Sequence, residues 1–193
     1  GLAAYGKPVY LDQLRNFVIP VDLASGRYVR GVEFRPGNPK VVHHANIRVV
    51  RTDAARAADA ADPEPGFDGR LNAGAEFPDG QFLGWTPSQL PPLRSGDGAW
   101  WLEAGSDLVV QLHLRPADQP ETVQVRIGLF FTREVPRRTP VMVRLGKQDL
   151  DIPPGAREYR EDDSYRLPVA ATLVALQPHA HYRAREVTAS VQL

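Results

Sequence analysis

The stretch "KVVHHANIRVV", Lys40 to Val50, decides how the chain folds. It is a run of β-branched residues with two adjacent histidines, His43 and His44, in its middle. Valine and isoleucine are stiff at the first side-chain torsion and suit a pleated, half-buried strand better than a helix. Segments of the same kind recur along the chain: "NFVIPVDL", "YVRGVEF", "SDLVVQLHL", "TVQVRIGLFF", "PVMVRLG", "ATLVALQP" and "VTASVQL". The 18 prolines and 16 glycines punctuate them, as turn residues do between short strands. From Thr122 to Leu129 polar and apolar residues alternate with period two, which predicts a strand with one face buried. No long stretch repeats its apolar residues at helical spacing. The expectation is an all-β fold of short antiparallel strands, a sandwich or a jelly roll.

Two connections stand out. "RTDAARAADAADPEPGFDG", Arg51 to Gly69, reads as a surface excursion between strands whose front half could form a short helix. "GWTPSQLPPLRSGDG", Gly84 to Gly98, is rich in proline and glycine and reads as a loop. A domain boundary is expected in "FFTREVPRRTP", giving a first domain over 1–134 and a second over 135–193. Trp85, Trp100 and Trp101 read as core or loop anchors, and Met142, in "PVMVRL", reads as a core residue.

At 193 residues, 42% hydrophobic and 24% charged, the chain is long enough to bury a sizeable core. It carries 23 basic and 23 acidic residues with no basic block, which argues against a nucleic-acid partner. No apolar run approaches the roughly 20 residues of a membrane-spanning helix. The beginning, "GLAAYGKPVY", lacks the basic region and apolar core of a secretion signal, so a removed signal or an excised piece of a longer polypeptide is the expectation. There is no cysteine, which excludes disulfides and thiolate metal sites. Any metal must be held by imidazole, carboxylate, carbonyl or Met142.

All five histidines fall in three strand-like places: His43 and His44, His113 in "VVQLHL", and His179 and His181 in "QPHAHY". Residues i and i+2 of a strand share a face. His179 and His181 therefore point the same way, as do Gln111 and His113. His43 and His44 would face opposite sides of a regular strand. To share one ligand they need a bulge, a strand end or different ring nitrogens. Imidazole is a common ligand of copper, zinc, iron and nickel. Metal binding is the expected role of the set, with the individual sites left open by spacing alone.

The order and spacing of "VVHHANI", "LVVQLHL" and "PHAHY" resemble the copper type II, ascorbate-dependent monooxygenases, the family of peptidylglycine α-hydroxylating monooxygenase and dopamine β-monooxygenase. The surroundings "LRNFVIPVDLASGRYVRGVEFRPGNPKVVHHA" and "GSDLVVQLHLRP" look like a bacterial branch of it. The resemblance implies two consecutive jelly-roll β-sandwich domains, each holding one copper. It implies His43, His44 and His113 as ligands of an electron-transferring copper, and His179 and His181 as ligands of a second copper where oxygen is activated. Gln111 matches a glutamine close to the third histidine. The implied reaction hydroxylates a substrate C–H bond with O2, using ascorbate as external reductant, and the implied location is periplasmic or secreted.

The chain also departs from that pattern. The family's second copper has a methionine ligand well downstream of the paired histidines, and Leu193 follows His181 too closely to supply one. The second domain is accordingly expected to be incomplete in this chain, with further domains of a longer polypeptide to follow. Gln177 stands where the peptidylglycine enzyme has a carboxylate-binding arginine, so a peptide ending in glycine is not the expected substrate. Leu114 stands where the animal enzymes tend to have tyrosine. A different class remains open beside the enzyme: a β-sandwich module that holds a metal without turnover.

Overall fold

The computed structural model describes residues 13–51, 53–69, 74–78, 81–87, 93–94, 98–138, 140–147, 149–179 and 184–192. The chain divides into two compact units, Gly1–Val143 and Arg144–Leu193.

Among its described residues the first unit is all-β apart from one short helix. Its strands are β1 (Gln13–Pro20), β2 (Arg27–Arg35), β3 (Val42–Val50), β4 (Phe67–Asp68), β5 (Gly84–Trp85), β6 (Leu93–Arg94), β7 (Trp100–Leu102), β8 (Asp107–Leu114) and β9 (Arg126–Thr132). The helix α1 spans Ala54–Ala61. The strands form two antiparallel sheets. One has the order β4-β1-β8-β3-β5; in the other β2 pairs with β6, β7 and β9.

β8 is the axis of the first sheet, paired along its length with β1 on one side and β3 on the other. Its sequence, DLVVQLHL, explains that position. Leu108, Val110, Leu112 and Leu114 are all buried in the main core, and Val109 is buried on the opposite face. A strand buried on both faces reads as a nearly continuous apolar run. Ala45, Ile47 and Val49 of β3 and Phe17 of β1 join the same core, with Val29, Val32, Phe34, Trp100 and Leu102 from the second sheet. Each fully buried aliphatic side chain contributes about 1.5–3 kcal/mol relative to exposure. The alternation read from Thr122 to Leu129 is visible in burial, since Val123 and Val125 are inside and Thr122, Gln124 and Arg126 outside. The hydrogen-bonded ladder itself starts only at Arg126.

The excursion after β3 does begin with a helix. Alanine has the highest helix propensity, but eight residues alone would be marginal. Packing holds α1 in place. Ala55 is fully buried in a second, smaller core with Val50, Phe67 and Val109, and Arg56 makes two hydrogen bonds, 2.6 and 2.7 Å, to the buried carboxylate of Asp107 at the start of β8.

The tryptophans divide as anchors do. Trp100 is in the core, Trp85 packs against it, and Trp101 is exposed edge-on to Tyr28. Met142 is not a core residue: it is exposed and belongs to neither cluster. The strand-like runs "PVMVRLG", "ATLVALQP" and "VTASVQL" also differ from expectation. Among the described residues none of them forms a strand. In the second unit every described residue is exposed, Val174 at 85%. β propensity reflects fit to a half-buried pleated surface, and these residues have neither a partner strand nor a face to bury.

Candidate metal centre

The face of β8 turned away from the main core is graded along its length. Furthest from the open end stands Val109, opposite Val18 and Arg48, where α1 covers the sheet. The next outward row is Asn16, Gln111 and Asn46. The row after that is Leu14, His113 and His44, with Leu14 half exposed at 48%. The face thus passes from apolar to amide to imidazole within three rows.

His43 reaches this row through a β-bulge. Val42 pairs with Leu114 and His44 with His113, so two steps along β3 match one step along β8. The extra residue is His43. A bulge sets two residues of one strand against one of its partner strand and re-aims a side chain. It lets Val42 point into the core at 1% exposure while both histidines turn outward. Of the three arrangements that the sequence leaves open, the bulge is the one present, and the converging ring nitrogen is Nδ1 in all three residues.

The three Nδ1 atoms converge. His43 to His113 is 3.1 Å, and His44 lies 3.4 Å from each of the other two. The ring planes are splayed, at 58°, 79° and 81° to one another. Three imidazole lone pairs brought to one point are favourable only with a proton or a cation among them. Two nitrogens bound to one tetrahedral ion at 2.0–2.1 Å are about 3.3–3.4 Å apart. The observed spacings match that geometry, and His43, His44 and His113 are the one group among the described residues whose positions could hold a metal. All three are half-buried, so the point of convergence is reachable.

Gln111, expected beside the third histidine, is on the same face and hydrogen-bonds through Nε2 to Asn16 Oδ1 at 3.2 Å. His179 lies in the second unit, exposed. His181 lies outside the described residues. The paired histidines of the expected second copper thus stand on sequence alone.

Two residues escaped the sequence reading. Asn16 is fully buried, and its Nδ2 donates to the carbonyls of Phe67 and Gly69, 3.0 Å each. Arg15, 3% exposed, makes paired hydrogen bonds to Asp62 at 2.9 and 2.8 Å and donates to the carbonyls of Pro65 and Gly66. The signal available was the polar pair "RN" inside an otherwise apolar strand run. Its partners lie about fifty residues on, in a loop that periodicity cannot place.

No known protein family, no curated protein and no solved structure matches the chain.

Proposed function

We propose that the chain is a copper-dependent monooxygenase-like protein that hydroxylates a C–H bond with O2 and ascorbate as reductant, and that His43, His44 and His113 hold its first copper. The observation that carries the metal assignment is the triangle of Nδ1 atoms with sides of 3.1, 3.4 and 3.4 Å. Copper is favoured among imidazole-binding metals by the resemblance of the histidine motifs; the all-nitrogen donor set is compatible with both Cu(I) and Cu(II) but equally with zinc. A copper ion bound there supplies one-electron redox chemistry. The chain's own residues fix the three rings: β8 brings His113 opposite His44, and the bulge turns His43 to join them. Gln111, in the adjacent row of the same face with Asn46 opposite it, is proposed as a polar group that meets a molecule approaching the site. His179 and His181 are proposed for the second copper. The two sheets around one shared core support a jelly-roll sandwich for the first unit. A periplasmic or secreted location goes with this reading.

One observation favours a second reading, a metal-holding module without turnover. The three-histidine set is complete within the first unit by itself. Equilibrium titration of the full chain with Cu(I), Cu(II) and Zn(II), with EPR of the Cu(II) form, tests both. One copper lost in His113→Ala, and another in the His179→Ala/His181→Ala variant, supports the two-copper enzyme, and ascorbate-dependent oxygen uptake then follows. One metal in all, without oxygen uptake, supports the module. Copper bound no better than by a histidine-free control sinks both.

A further inference from the structure

We infer that Asn16 is a positioning residue that fixes which end of the Gln111 carboxamide is presented beside the histidines. The inference gives a role to Gln111 within the metal-site reading above, but the orientation itself stands on hydrogen bonding alone.

The orientation is set from the segment Phe67–Gly69. The carbonyls of Phe67 and Gly69 both point at the amide of Asn16. Two carbonyl oxygens accept only from an NH2 group, so the orientation of this amide is dictated by its surroundings. A flipped Asn16 would set its oxygen against two others in a fully buried place, at the full cost of unmade hydrogen bonds. With both hydrogens of Nδ2 committed, Oδ1 faces β8, where Nε2 of Gln111 stands 3.2 Å away. That contact dictates the second amide in the same manner. A flipped Gln111 would bring oxygen against oxygen. The oxygen Oε1 of Gln111 is therefore on the branch of its carboxamide directed away from Asn16.

Gln111 precedes His113 by two residues on one face of β8, and unlike Asn16 it is half-buried. One end of it is anchored and the other is reachable. What it offers beside the histidine row is a hydrogen-bond acceptor, suited to a protic molecule such as water or a hydroxyl group at the metal. The loop that sets the whole arrangement is itself held. Arg15, the next residue along β1, clamps Asp62 and the carbonyls of Pro65 and Gly66. Gly66 has φ +75°, and a Cβ there would run into the carbonyl oxygen of Asn16.

Two measurements on the full chain test this. The first needs no metal. In the metal-free protein the side-chain amide protons of Asn16, and one of Gln111, should exchange slowly by NMR. In Asn16→Ala the Gln111 amide should exchange freely. Fast exchange of both amides in the wild type, or an unchanged Gln111 in the variant, overturns the proposal. The second is a double-mutant cycle on Cu(II) affinity and the EPR hyperfine splitting. Asn16→Ala and Gln111→Ala should each weaken binding by about 10–100-fold, the range for groups that orient a metal's surroundings. The double variant should be no worse than Gln111→Ala, because one residue acts through the other. An Asn16→Ala effect that persists in full without Gln111 means a purely structural role and sinks the idea. Asn16→Ser replaces Asn16→Ala should the latter fail to fold. If the wild type binds no copper, the metal-site reading fails while the exchange experiment still decides the orientation.

Discussion

His43 is the extra residue of the bulge between Val42 and His44, and the chemistry of the site depends on that bulge. Two adjacent strand residues point to opposite faces, so without the bulge only one of the two histidines would share a face with His113. Deleting His43 should close the ladder into a regular one. Val42 would keep its inward place, because it would then stand next to His44 and two positions before Ala45, whose side chain is already in the core. The expected outcome is a folded protein, melting within a few degrees of the wild type, that binds copper at least tenfold more weakly. A deletion variant that binds normally would mean that the third ring is not a ligand. At this scale the sequence was half legible. The pair of histidines leaves a bulge, a strand end or different ring nitrogens open, and the bulge is settled by packing, which buries both Val41 and Val42 in the main core. Asn16 was not legible, since its hydrogen-bond partners are Phe67 of the two-residue strand β4 and Gly69 just after it, about fifty residues away.

Among the elements, β1 and the loop leading to β4 form one mechanical piece through Arg15. The Arg15 hydrogen bond holds the carboxyl of Asp62 below its ordinary value, against the upward push of burial. The native fold thus prefers the charged form of Asp62. The stability that this contributes is complete above the ordinary aspartate pKa of about 3.9 and is lost as pH falls through the lowered native value. Asp62→Asn should be less stable than the wild type near neutrality and converge with it on acidification below about pH 4. Melting temperatures measured from pH 7 to pH 2 check this, and a gap that stays constant would contradict it. The elements themselves were mostly legible. β1, β2, β3, β8 and β9 fall where β-branched runs were read, and α1 forms at the alanine-rich front of the excursion. The short strands β4, β5, β6 and β7 were not, since two or three residues carry no periodicity and exist because a longer neighbour offers them a ladder.

For the whole molecule, the chain falls into a first unit with a shared core and a second whose described residues are exposed and form no strand. Composition could not separate them. "ATLVALQP" has the same β-branched character as "NFVIPVDL", and only the latter finds partners, β4 and β8. Long-range pairing is what local sequence does not carry. Within the first unit, the histidine row stands on the face turned away from the main core, at the end that α1 leaves uncovered. An ion held there is labile by construction. It can leave without the sheets separating, so its lifetime is set by ligand exchange and its loss is decoupled from unfolding. Stripping by a chelator should therefore be faster than global unfolding and should speed up with chelator concentration. A stripping rate that levels off at the unfolding rate would place the ion inside the sheets.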